Sequence, residues 1–107
     1  MVEDSIEIVV RKYLQAVSKA GINARRAILF GSYARGEANE WSDIDLVVIA
    51  PELDNQSDRR LNSKLWELRA HTDSRIEPIP CGEREWETEE GSPILEIARR
   101  EGIEIAA

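Results

Sequence analysis

The 107 residues contain a single cysteine, Cys81, and a single histidine, His71. A lone cysteine cannot close an internal disulfide, so nothing points to an oxidising compartment. One histidine leaves too few parts for a zinc site or a histidine-based catalytic triad. No apolar run approaches the ~20 residues of a membrane-spanning helix. Glu3 and Asp4 stand where a secretory leader would carry bases, so a cytoplasmic location is expected. Positive charge is scarce too: 14 Lys and Arg against 21 Asp and Glu leave a net charge of −7, with no basic tail. Nucleic-acid binders depend on neutralising phosphates, so stable nucleic-acid binding is not expected, and a protein or small-molecule partner is favoured. Repeats and linkers are absent as well. What remains, 42% hydrophobic and 33% charged residues, is the composition of one folded domain, expected to span 1–107 with a single modest core.

The informative stretch is residues 30–48. Gly31-Ser32 ends an apolar run (Ala27 to Phe30) and opens a short segment that Gly36 closes. Glycine permits a sharp turn and a close backbone approach to a ligand. If a helical turn starts at Ser32, its hydroxyl and the free N–H groups form an anion site, with the cation of Arg35 nearby. Asp43-Ile44-Asp45 then starts a second apolar run, Leu46 to Ala50. In a strand, residues two apart share a face, which would set Asp43 and Asp45 side by side. Paired carboxylates suit a hard divalent cation such as Mg²⁺. Taken singly, each half has a plain alternative: an ordinary capped turn for Gly-Ser, and a solvated strand start for the two acids. Together they describe a site for a nucleoside triphosphate with Mg²⁺.

Gly31-Ser32-Tyr33-Ala34-Arg35-Gly36 followed by Ser42-Asp43-Ile44-Asp45-Leu46 resembles the signature of the minimal nucleotidyltransferases, within the DNA polymerase β-like superfamily. The resemblance implies an α/β (α+β) nucleotidyltransferase fold, a mixed sheet with helices packed on it. It implies Mg²⁺ at a two-metal site, with Asp43, Asp45 and a third carboxylate as ligands and catalytic groups. Glu77 is the best-placed third acid, although the family often carries Asp there; the alternative is an exposed strand charge. Gly31 and Ser32 are then expected to hold the phosphates of ATP as nucleotide donor. Arg35 either helps them or braces the loop, and the brace is slightly favoured. The small stand-alone members resemble antitoxins paired with helical HEPN-type toxins, which they neutralise by complex formation or by AMP transfer (AMPylation). A partner of that kind is expected, with homo- or hetero-oligomers left open. A catalytically silent binding module and a small-molecule nucleotidyltransferase remain as alternatives.

Along the chain, apolar spacing predicts a helix over 4–20 with Ile6, Val9, Val10, Tyr13, Leu14 and Val17 inward. Strands are expected from Ala24 or Arg25 to Phe30, over 43–50, from Ser74 to Pro80 and over 103–105. The strand at 43–50 should be buried on both faces. Pro78 and Pro80 predict that the third strand lies at an edge or ends early. Ser57 or Asp58 is expected to cap a helix running to about Ala70, with Leu61, Leu65 and Leu68 inward. Residues 51–57 read as a loop, and residues 81–91 as a connection or short helix. Ser92-Pro93 opens the last helix, with Ile94, Leu95, Ile97 and Ala98 on its buried face. Tyr33 is read as packing behind the loop in preference to stacking on a base. Trp41, Trp66 and Trp86 are candidate contact points.

Overall fold

The structure, a computed structural model, describes residues 4–54, 59–88 and 92–107. Its first helix, α1 (Asp4–Lys19), forms because Ile6, Val10, Tyr13, Leu14 and Val17 fall on one stripe, and all five are buried. Gly21, with φ of 97°, turns the chain out of it. Tyr13 is core, as its place on the stripe suggested. Its hydroxyl donates to the Leu65 carbonyl at 2.7 Å, and burial pushes the phenol well above its ordinary range. Tyr13→Phe should therefore lower stability by about 1 kcal/mol. Urea unfolding would show this as a lower midpoint at unchanged slope.

The sheet has the order β3-β2-β1-β4. Strand β1 (Arg26–Phe30) pairs antiparallel with both β2 (Ile44–Ile49) and β4 (Ile103–Ala106). Strand β3 (Ile76–Cys81) runs parallel to β2, and the crossover between them carries helix α3 (Arg59–Arg69). The sheet is mixed with helices packed on it, as expected, and they cover both of its faces. Alternation sends Ile44, Leu46 and Val48 into one cluster with α1 and Leu65 of α3. It sends Val47 and Ile49 into a second cluster with Ile28, Phe30, Cys81, Leu95 and Ala98. This is the two-faced burial that the run Leu46–Ile49 predicts. Helix α5 (Pro93–Glu101) covers the second cluster.

β3 is an edge strand, in line with its prolines. The Arg75 carbonyl accepts the Ile44 N–H at 2.8 Å, and the Cys81 carbonyl accepts the Ala50 N–H at 3.2 Å. Odd-numbered residues of β3 therefore face β2, and Pro78 and Pro80 turn their missing N–H positions to the outer edge.

Three expectations need correction. The second strand begins at Ile44, not at residue 43, so Asp43 lies in the irregular stretch just ahead of it. Only Leu95 and Ala98 of α5 are buried; Ile94 and Ile97 are 40% and 43% exposed. A nine-residue helix lying flat on a sheet buries one narrow stripe, and the flanking isoleucines fall outside it. The segment after Pro51 is not all loop, since Pro51–Leu53 form one 3-10 turn. Residues 81–91 do contain a short helix, α4 (Glu83–Glu87). The predicted caps Ser57 and Asp58 lie outside the described residues. Among the described residues no helix is long and apolar enough to cross a membrane.

Candidate active site

The β1–β2 register builds the site. Phe30 pairs with Asp45, so the chain leaving β1 at Gly31 passes beside the acids that open β2. Gly31 adopts φ 76° and ψ −152°, a conformation open essentially to glycine alone. A Cβ built on it would overlap the Oδ2 of Asp45. The turn and the carboxylate are thus in contact, and the absence of a side chain is what permits it. Ser32–Arg35 then form a single helical turn, α2, closed by Gly36 in the left-handed region at φ 73°. The first amides of such a turn have no acceptor within it.

The Gly31 N–H donates to the Oε1 of Glu101, at the end of α5, at 3.2 Å. Leu29 pairs with Ile103 on the same ladder, so this side-chain oxygen stands where the next β4 carbonyl would lie. The same Glu101 oxygen accepts from Nη1 of Arg35 at 3.1 Å, and Glu37 accepts from Nε of Arg35 at 2.7 Å. Arg35 is therefore bound to two carboxylates and braces the turn. An open cleft of about 430 Å³, lined by Arg35, Ile97, Arg100 and Glu101, lies alongside.

Glu77 pairs with Asp45 across the parallel β2–β3 ladder, so both side chains project from the same face. Burial raises the pKa of Asp45, and repulsion from Asp43 adds to it; a hydrogen bond from Glu77 and the charge of Arg35 oppose the rise. Burial likewise raises the pKa of Glu77, followed by repulsion from Asp43 and Asp45 and a hydrogen bond to Asp43. The three acids feel one another's charge, which a shared cation would relieve. Among the described residues no three acidic, histidine or cysteine side chains form a ready-made metal cage. The donor set still fits Mg²⁺, which keeps several waters and takes one or two carboxylates plus substrate phosphates.

The sequence profile of the nucleotidyltransferase domain matches residues 10–95. The chain belongs to this nucleotidyltransferase domain family. A protein of Methanocaldococcus jannaschii, named as a candidate protein adenylyltransferase, is 46% identical over 54 residues, which is 50% of this chain. The chain spans only 37% of that relative's length. A candidate nucleotidyltransferase from Sulfolobus solfataricus superposes with a TM-score of 0.57 at 18% identity, covering 77% of this chain and 71% of the other, and shares the fold. A toxin–antitoxin complex crystallised with AMP-PNP also gives 0.57, at 26% identity, covering 92% of this chain and 70% of the matched one.

Within this nucleotidyltransferase domain, Tyr33 is buried behind the turn, as its reading as a packing residue had it. Its hydroxyl donates to the Asn39 carbonyl at 3.4 Å and accepts from Nη1 of Arg75 at 2.9 Å. Trp41 is 85% exposed on a turn fixed by Asn39, whose side chain accepts the Trp41 N–H at 2.8 Å. Trp66 and Trp86 carry the guanidinium groups of Arg69 and Arg99 on their rings. Cys81 is buried and its thiol is pushed up to about 12, chiefly by burial, so it is a packing residue and not a nucleophile. Two residues escaped the sequence reading, Glu101 and Arg75. Both act across long chain separations, and no local motif marks them.

Proposed function

We propose that this domain is a Mg²⁺-dependent nucleotidyltransferase that moves AMP from ATP to a hydroxyl of a partner protein. The expected partner is a helical HEPN-type toxin, which makes the domain an antitoxin. The observation that carries the proposal is the contact of the Gly31 turn with Asp45, by which phosphates held at the turn would lie against the carboxylates. The adenylyltransferase name of one relative and the toxin–antitoxin setting of a structural neighbour with an ATP analogue support the acceptor and the donor.

On this reading Ser32 and the open amides of α2 take the triphosphate, while Arg35 keeps the turn in place. Asp43, Asp45 and Glu77 would hold Mg²⁺, which when bound supplies charge neutralisation to the phosphates and acidity to the attacking hydroxyl. The acceptor oxygen forms a bond to the α-phosphorus, the bond from that phosphorus to the α,β-bridging oxygen breaks, and pyrophosphate leaves. The hydroxyl proton would pass to Asp45 or Glu77, or metal activation alone would suffice.

Intact-mass spectrometry tests this with the purified protein, the product of the adjacent gene, ATP and Mg²⁺. One adenylyl group gained by the partner is the expected result. A tight complex with no mass gain under any nucleoside triphosphate would replace the reading with inhibition by binding alone. No gain and no complex would turn the search to small-molecule acceptors.

A further inference from the structure

We propose that Arg75 is a positioning residue of this site, one that sets its three segments relative to one another through its side chain and its backbone. The proposal rests on the transferase reading above for its kinetic arm only.

Arg75 sits at the mouth of β3, two residues before Glu77. Its guanidinium is fixed first by Asp73, with Nε 3.0 Å from Oδ1 and Nη2 2.7 Å from Oδ2. This fork holds the Asp73 carboxyl below its ordinary range, through the Arg75 hydrogen bond first. With two of its nitrogens held, the group has one direction left for Nη1, which donates to the Tyr33 hydroxyl at 2.9 Å. Tyr33 follows Ser32 in the turn, and its hydroxyl passes the link on to the Asn39 carbonyl. Asn39 in turn organises the loop before Asp43: its N–H donates to Oγ of Ser42 at 2.9 Å and its carbonyl accepts the Ser42 N–H at 3.1 Å. The Arg75 backbone closes the circuit, because its carbonyl accepts the N–H of Ile44, the residue between the two aspartates, at 2.8 Å. A single residue thus ties the glycine turn, the Asp43–Asp45 segment and the strand of Glu77.

Tyr33 is buried, so its hydroxyl needs these partners. Nothing in the network touches the open amides of α2, and the turn keeps its own ties to Glu101 and Gly36. Loss of the network should therefore displace the carboxylates relative to the turn and leave the turn itself formed. A displacement on the order of 1 Å at reacting groups costs about 100-fold in rate.

The test uses the full chain with its partner protein, ATP and Mg²⁺. Arg75→Ala should lower kcat about 100-fold and change the KM for ATP less than about 3-fold. Arg75→Lys should not restore kcat, because a point ammonium cannot serve Asp73 and Tyr33 at once. The milder Tyr33→Phe should lower kcat in the same sense, and the double variant should be no worse than Arg75→Ala alone, as expected for one shared network. Arg26→Ala, which removes an exposed pair with Glu104 in the β1–β4 ladder, is the control that leaves kcat unchanged. The second readout needs no turnover: amide exchange of residues 39–44 should speed up in Arg75→Ala and in Tyr33→Phe. Unchanged exchange in both variants overturns the proposal, as does wild-type kcat in Arg75→Ala or full rescue by lysine. An inactive wild-type protein with accelerated exchange in the variants would remove the transferase reading and leave the positioning role standing.

Discussion

Asp45→Asn is expected to lower nucleotide transfer by about 100-fold or more, the scale seen when one electrostatic partner of a transition state is removed, and to raise the melting temperature at pH 7. The two effects have one origin. Asp45 lies in contact with the glycine turn, where burial and the charge of Asp43 hold its pKa above the ordinary 3.8. A carboxyl whose folded pKa exceeds its unfolded one destabilises the fold once both forms are ionised. The gain from asparagine should therefore be full above the raised folded pKa. It should shrink as the pH falls through that value and vanish below 3.8, where the carboxyl is protonated in both states. Melting curves of both proteins from pH 3 to pH 8, without added metal, measure it. A loss of activity accompanied by a falling melting temperature at pH 7 would mean that Asp45 is a structural acid.

Gly31→Ala should have the largest effect on stability of any single change in the turn. The backbone at φ 76° and ψ −152° costs an L-residue about 1–3 kcal/mol by itself. The added methyl then overlaps the Asp45 carboxylate, which is partly fixed by its strand and cannot simply swing clear. Gly36→Ala supplies a comparison, since Gly36 has φ 73° and ψ 22°, a left-handed helical backbone that a non-glycine residue adopts at less cost, and open space around it. Gly36→Ala should show a left-handed backbone cost without a clash, and Gly31→Ala, with the costlier backbone and the clash together, should exceed it by at least about 1 kcal/mol. Denaturant unfolding of both variants gives the difference. Repeating Gly31→Ala in an Asp45→Ala background should lower its cost by the part that the clash contributes. If the cost of Gly31→Ala is the same in both backgrounds, the carboxylate contact plays no part in it.

These two residues were also the most legible in the chain. Gly31-Ser32 and Asp43-Ile44-Asp45 lie within fifteen positions, and the strand pairing that joins them is a hairpin-like neighbour contact. Sequence spacing alone brings such groups together. Tyr13 on its helical stripe and Pro78 and Pro80 at the sheet edge were readable for a similar reason, since each obeys a rule about its own element. Glu101 was not readable. It meets Gly31 only because β4 pairs with β1 and the helix before β4 ends one step beyond the ladder. Arg75 looked like one more surface arginine, and only the fold puts its Nη1 on a buried tyrosine 42 positions away. The isoleucines of α5 show the opposite failure. Their spacing marks a wide apolar face, but a flat sheet accepts only the Leu95 and Ala98 stripe.

The two prolines of β3 bear on how other molecules can meet this one. With no N–H at positions 78 and 80 on the outer edge, a visiting strand finds two of its acceptors unanswered there. On the opposite edge, the outward Ala106 carbonyl is already held by Arg11 at 3.3 Å, and the exposed Glu104 adds a charge beside it. Both borders of the sheet therefore resist lengthening, and cross-chain β-ladders are disfavoured by construction. Association is left to helix surfaces and protruding side chains, where the solvent-facing isoleucines of α5 and the indole of Trp41 stand.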